Sequence, residues 1–361
     1  MSEDAKKRVL IVDDAVVVRR MLSDAIALDP AFAVVGVAAN GRIAMDRFAA
    51  VHPDIILLDV EMPEMDGLET VRELRKFDTR VPIIMFSTLT ERGASTTLEA
   101  LALGATDYVT KPSNIDAALT SGTVSRELIP RMRALCHLPE PGPRLVAPPA
   151  IPKPVVPVTR CSLPPAVVAI GVSTGGPDAL ARVIPLLPRD LHVPVVIAQH
   201  MPPVFTGLLA ARLTAKSQLP VRECVSGDPL VAGCAVLAPG DFHMVVNQED
   251  GVIRLRTHQG PKENFCRPSV DVLFRSIASA YRGRVLAVVL TGMGQDGLKG
   301  CELLHSHGAR IFVQDEASSV VWGMPGYVAK AGLAEKVLPV DQIAAEIVRS
   351  TARQVAARVR S

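Results

Sequence analysis

Between His137 and Pro165 the chain reads HLPEPGPRLVAPPAIPKPVVPVTRCSLPP, and nothing else in it restricts the fold as strongly. Proline has no backbone donor and clashes with the preceding helical turn, so a run this rich in it builds neither a long helix nor a central strand. Polyproline-like chain is extended and semi-rigid, which makes the segment a linker. The 361 residues therefore divide into two domains, each with room for a sizeable core. The expected boundaries are a first domain at 1–133, a linker at 134–164 and a second domain at 165–361.

Before the linker, short apolar runs alternate with stretches of helical period: RVLIVD, FAVVGVA, DIILLD, VPIIMF and TDYVT, each followed by a helix, the last reaching about Cys136. That is a (βα)5 pattern. Val9 to Val12 and Ile55 to Leu58 are apolar on both faces, as parallel strands covered by helices on each side must be. In such open sheets chemistry gathers at the carboxyl ends of the strands. Asp13 and Asp14 stand at the first of these ends, Asp59 at the third, Ser87 at the fourth and Lys111 at the fifth. Three carboxylates in one crevice repel one another, and a hard divalent cation such as Mg²⁺ would offset that. The Lys111 ammonium and Ser87 hydroxyl suit the oxygens of a phosphoryl group on Asp59. A helix cap explains any one of these residues, but not all five together.

The motifs VDDA at 12–15, LLDVEMPEMDG at 57–67, FST at 86–88 and GATDYVTKP at 104–112 resemble the receiver domain of bacterial response regulators, over residues 8 to about 130. The resemblance implies that Asp59 is the phospho-acceptor and that Asp13, Asp14 and Asp59 hold Mg²⁺. It also implies that Ser87 and Tyr108 form a switch pair and that Lys111 contacts the phosphoryl group, with a cis bond between Lys111 and Pro112. Ala15 stands where many relatives have serine and bears no ligand.

The second half opens on AVVAIGVSTGGP, a buried-type strand running into a glycine turn that carries Ser173. By itself the turn has three readings. Gly171 to Gly175 fits the G-x-S-x-G elbow of a serine nucleophile; Gly171, Ser173 and Gly176 fit a degraded phosphate-binding loop; or it is an ordinary strand-to-helix turn. Two further strand ends narrow the choice, His200 after VPVVIAQ and Asp296 in TGMGQDG. A serine hydroxyl needs a neutral imidazole to take its proton, and the imidazole needs a carboxylate to fix its tautomer. A dinucleotide loop instead needs an acid at the second strand end, where Gln199 and His200 stand. The order Ser, His, Asp differs from the Ser, Asp, His of α/β-hydrolases, so a different fold carries the site. The expected second domain is a doubly wound, mostly parallel α/β sheet with a β-rich insertion formed by VRECV, CAVLAPG, FHMVVN and VIRLRT.

GVSTGGP, AQHMP, LAPGDFHM, RPSVDVLF, LTGMGQDG and QDEASSVVWGMP resemble the catalytic domain of the chemotaxis response regulator protein-glutamate methylesterases, the CheB family, which joins a receiver to this domain through a variable linker. The resemblance implies Ser173 as nucleophile, His200 as base, Asp296 as its orienting acid, and backbone N–H groups near Thr174 and Met293 as oxyanion donors. It implies glutamyl methyl esters and selected glutamines of chemotaxis receptors as substrates, and a histidine kinase as the phosphoryl donor to Asp59. Without the phosphoryl group the receiver is expected to cover the Ser173 edge. Val172 and Cys266 depart from the family pattern, Cys266 standing where a basic or histidine residue often occurs, and no chemistry is expected of either.

Thirty-nine basic against 37 acidic residues leave a net charge of +2, too small a field to mark nucleic acid or a membrane surface as a partner. The second half also lacks a helix-turn-helix. MSEDAKKRVLIVDD has no apolar signal-peptide core, and no apolar run approaches the roughly 20 residues of a membrane span, so a cytoplasmic protein is expected. Six cysteines without C-x-x-C spacing signal neither zinc nor a redox pair. The rival from another class is a non-enzymatic output module that only binds a receptor or nucleotide.

Overall fold

The computed structural model describes residues 6–111, 122–139 and 160–352. The chain forms two compact units, divided between Ala147 and Pro148. In the first unit the strands are β1 (Lys7–Val12), β2 (Phe32–Ala38), β3 (Ile55–Asp59), β4 (Ile83–Ser87) and β5 (Asp107–Thr110). The helices are α1 (Val16–Ala27), α2 (Gly41–Val51), α3 (Gly67–Phe77), α4 (Glu91–Ala102) and α5 (Gly122–Leu135). All five strands are parallel, in the order β2-β1-β3-β4-β5. Their Val, Ile and Leu side chains are buried on both faces, which is why these segments read as unbroken apolar runs.

The strand order reverses at β1, so a crevice opens where the carboxyl ends of β1 and β3 diverge. Helix α3 starts against that crevice. Asp66 and Glu69 form a reciprocal capping box, and the Gly67 N–H donates to the Val60 carbonyl at 3.0 Å. A Cβ on Gly67 would lie 2.1 Å from the Asp59 carbonyl oxygen, so only glycine lets the helix approach this closely. At the other end of the unit, Leu135 and Cys136 are buried and Arg133 donates to the Pro139 carbonyl. The Lys111-Pro112 bond expected to be cis lies outside the described residues.

The second unit has nine strands and six α-helices among the described residues. The strands are β6 (Val167–Val172), β7 (Val195–Gln199), β8 (Val221–Glu223), β9 (Ala235–Leu237), β10 (His243–Glu249), β11 (Val252–His258), β12 (Val285–Val289), β13 (Arg310–Gln314) and β14 (Lys336–Leu338). The helices are α6 (Gly176–Val183), α7 (Phe205–Lys216), α8 (Val270–Tyr281), α9 (Leu298–Ser306), α10 (Met324–Lys330) and α11 (Val340–Thr351). Seven strands make one parallel sheet in the order β14-β13-β12-β6-β7-β9-β8. Of the four strands expected in the insertion, β8 and β9 extend this sheet, and only β10 and β11 stand apart as an antiparallel hairpin. Sequence pattern did not separate the pairs, since β8 mixes apolar with charged residues as β10 and β11 do, while β9 is apolar and buried throughout. Which sheet a strand joins is set by where the intervening chain returns.

Strand β6 is the first in this unit, with β12 and β7 as neighbours on opposite sides, so the order again reverses there. Gly171 pairs with Val289 and Val172 with Gln199, which brings the carboxyl ends of all three strands level. We expect Gly67→Ala to cost about 1–3 kcal/mol through overpacking, read as a lower urea midpoint for the receiver's transition.

Candidate active site

The three strand ends around β6 carry Ser173, His200 and the turn leading to Asp296. Ser173 is held through its backbone. Its N–H donates to the Thr291 carbonyl at 3.0 Å, and its own carbonyl accepts from Gly176 N–H at 2.7 Å and from the Gln199 side-chain amide at 3.0 Å. Gln199 Nε2 also reaches the His200 carbonyl at 3.1 Å, and His200 N–H donates to the Val172 carbonyl at 3.1 Å. One buried amide thus ties the two strand ends together. On the β12 side, a Cβ on Gly292 would lie 2.8 Å from Ser173 Cβ, so the glycine lets that turn close against the serine.

His200 and Asp296 meet directly, Nε2 to Oδ2 at 2.7 Å. Asp296 is 2% exposed, and its oxygens accept five further donors, the Gly297 N–H at 3.1 Å and four that belong to the start of α8 or lie next to it. Oδ2 takes Val270 N–H at 2.7 Å, while Oδ1 takes the Ser269 hydroxyl at 2.9 Å, Asp271 N–H at 3.0 Å and Asn264 Nδ2 at 2.8 Å. This is an anion seated on a helix N-terminus, where free N–H groups and the helix dipole favour negative charge. Burial works against the charge of Asp296, but the His200 imidazole and these backbone donors outweigh it and hold the carboxyl well below the ordinary carboxylate range.

With Nε2–H given to Asp296, Nδ1 is the His200 nitrogen left for proton transfer, an assignment that follows from the network. Nδ1 lies 3.3 Å from the Cys266 thiol. No chemistry was expected of Cys266, and the structure sets its thiol against the imidazole. The reason is a tight turn: Glu263 and Cys266 bridge to each other, and Asn264 and Phe265 between them both have positive φ, 51° and 64°. The turn swings the thiol onto the imidazole, which no spacing in the sequence shows. Burial alone would lower the His200 pKa, but the Cys266 sulfur and the Asp296 carboxylate raise it to about 10.

The structure does not join all three expected residues by hydrogen bonds. Ser173 Oγ makes none among the described residues, although Ser173 shares the sheet edge with the His200–Asp296 pair. Met293 N–H likewise makes no hydrogen bond among the described residues, while Thr174 is buried and its carbonyl accepts from the Thr291 hydroxyl at 3.0 Å. Sequence reasoning missed Gln199, Asn264, Ser269 and Thr291 as framework. The one available signal was a polar residue ending an apolar strand, as Gln199 does in VVIAQ.

In the first unit, oxygens of Asp13, Asp14 and Asp59 lie within 4.8 Å of one another, a donor set that fits a hard cation. Lys111 Nζ bridges Asp59 at 2.7 Å and Asp13 at 3.0 Å. Burial, with the Asp13 charge added, raises Asp59 to about 6 against the pull of Lys111. Ser87 faces elsewhere: it accepts from the Thr97 hydroxyl at 2.7 Å and lies 3.2 Å from the Gly93 carbonyl. Tyr108 is buried, and that burial raises its hydroxyl above the ordinary tyrosine value.

Residues 168–347 match the family model described as CheB methylesterase, and residues 9–121 match the response regulator receiver domain. A protein-glutamate methylesterase/protein-glutamine glutaminase from Trichodesmium erythraeum is 47% identical over 347 residues, covering 95% of this chain and 99% of the relative. The chain belongs to the CheB methylesterase family. A second relative of the same description, from Nocardioides sp., is 49% identical over 352 residues and covers 96% of each chain. The solved CheB methylesterase catalytic domain of Thermotoga maritima is 38% identical, covers 52% of this chain and 99% of its own, and superposes with a TM-score of 0.51. Membership in this CheB family makes the chain an enzyme and removes the binding-module alternative. No helix among the described residues is long and apolar enough to cross a membrane.

Asp296→Ala would orphan the donors at the α8 N-terminus and leave His200 without its buried partner. We expect a loss of about 3–5 kcal/mol in the catalytic unit, measured by urea unfolding. Because the folded pKa of Asp296 is depressed, its contribution is present above the ordinary carboxylate value and lost as pH falls through the lower folded one. Asp296→Asn should therefore flatten the acid side of the unit's stability-against-pH curve.

Proposed function

We propose that Ser173, His200 and Asp296 are the groups with which this CheB-family methylesterase cleaves glutamyl methyl esters of chemotaxis receptors. The observation that carries the reading is the 2.7 Å His200–Asp296 pair at the strand end beside Ser173. Ser173 Oγ attacks the ester carbonyl while His200 Nδ1 takes its proton, and Asp296 stabilises the imidazolium that forms. Nδ1 must leave the Cys266 thiol and meet Ser173 for this step. Backbone N–H groups of Met293 and Thr174 would stabilise the developing oxyanion. The proton returns to the methoxy oxygen, methanol departs, and a water activated by His200 cleaves the acyl-enzyme. Glutamine amides are hydrolysed by the same sequence, with ammonia as the leaving group.

In the receiver, residues 1–133, Asp59 is the phospho-acceptor and a chemotaxis histidine kinase the donor. Asp13, Asp14 and Asp59 would hold Mg²⁺, which when bound neutralises charge on the phosphoryl oxygens. Lys111, already on Asp59 and Asp13, is placed to follow the phosphoryl group, and Ser87 and Tyr108 report its arrival by reorienting. The linker, 134–164, lets that signal control access to the catalytic domain at 165–361. The receptors' cytoplasmic helical bundle is the substrate, which places the protein in the cytoplasm.

Ser173→Ala should lower methanol release from methylated receptor by roughly 10⁶-fold, the scale of losing a serine nucleophile; a rate near that of the natural chain would overturn the assignment. His200 must be neutral to accept a proton, and its pKa is raised. The rate should therefore keep climbing with pH beyond the ordinary histidine value, and Cys266→Ala should move that rise to lower pH. Asp59→Asn should abolish the response of methanol release to a small phosphoryl donor while leaving a basal rate.

A further inference from the structure

All six cysteines are free thiols, and they differ sharply in surroundings. Cys136, Cys224 and Cys301 are buried, and burial pushes their thiols up, to about 11 for Cys136 and about 12 for Cys224. These three stay protonated and sealed. Cys161 and Cys234 are half-buried, and the Cys234 thiol donates to the Ala235 carbonyl at 3.5 Å. Cys266 is also half-buried, but it alone among the six contacts an imidazole, with Sγ 3.3 Å from His200 Nδ1.

The contact has the form Cys–His–Asp, in which the imidazole can take the thiol proton and the carboxylate supports the resulting cation. A thiolate, not a thiol, is the nucleophile, and an imidazole nitrogen 3.3 Å from the sulfur is placed to take its proton as it reacts. The turn that presents the thiol is pinned on both sides. Glu263 pairs with Arg275 through two contacts of 2.6 Å, and Arg267 holds Asp241 at 2.6 Å and 3.0 Å. Phe265 at its tip is 97% exposed, so reagents in solvent reach the turn.

We propose that Cys266 is a covalent modification site for small soft electrophiles, and that an adduct on its sulfur stops the esterase by filling the space His200 Nδ1 needs. This rests on His200 serving as the base. With an alkyl halide, the neutral form of His200 takes the Cys266 S–H proton on Nδ1 as the sulfur lone pair forms the S–C bond. The C–halogen bond breaks, and halide leaves with its electron pair.

The test uses the full chain with iodoacetamide from neutral to mildly alkaline pH, following adducts by peptide mass spectrometry alongside methanol release. Cys266 should be carboxamidomethylated about tenfold or more faster than Cys161 and Cys234, with activity falling in step with its adduct. Cys266→Ser should keep its own starting rate through the same treatment. His200→Gln should slow alkylation of Cys266 to the level of Cys161, a readout that needs no esterase activity. Alkylation of Cys266 no faster than Cys161, or a complete adduct with methanol release intact, would overturn the proposal. Ser173→Ala separates the two readings: retained methanol release there would sink the serine nucleophile, whereas the thiol's rate is read independently.

Discussion

The second domain depends on one buried anion. Asp296 sits on the N-terminus of α8 and takes donors from Ser269, Val270, Asp271 and Asn264 before it meets His200. Those bonds offset what burial of a carboxylate would otherwise cost, and they fix its direction. The imidazole is thereby oriented, its Nε2 occupied and its Nδ1 turned to the Cys266 thiol. A helix N-terminus provides charge stabilisation that requires no mobile side chain, so the pair is set by the fold itself.

Both domains place their reactive groups by the same topological rule. In the receiver the sheet reverses at β1, and in the catalytic domain at β6. Diverging crossovers leave a crevice at each reversal, and side chains just beyond the strand ends meet in it. Asp13, Asp14 and Asp59 converge this way, and Ser173 and His200 follow adjacent strand ends. The register pairs Val172 with Gln199 and Gly171 with Val289, so no loop has to reach far to complete the site.

Much of this was legible from residue order. Unbroken apolar runs marked parallel strands buried on both faces, and the reactive residues followed those runs directly, so strand ends could be placed without knowing the sheet order. The insertion was less legible. Sequence pattern did not separate β8 and β9 from the hairpin strands that follow them, yet they pair with the main sheet, a choice made by long-range hydrogen bonding that local pattern does not encode. The roles of Gln199 and Asn264 were hidden for a similar reason: their amides act on carbonyls and carboxylates brought near only by folding, although Gln199 ending an apolar strand marked its position.

The sequence by itself determined two α/β domains parted by a proline run, the acids at the receiver's strand ends, and a serine, a histidine and an aspartate at three strand ends of the second domain. Those follow from periodicity and residue chemistry, which are properties of neighbours along the chain. Only the tertiary structure decided what each group touches. It gave Asp296 to a helix N-terminus, turned Ser87 toward Thr97, and laid the Cys266 thiol on His200, while Ser173 Oγ makes no hydrogen bond among the described residues. Such contacts arise between residues distant in sequence or from turns with positive φ, as at Asn264 and Phe265, and hydrogen-bond direction is settled only when those elements pack.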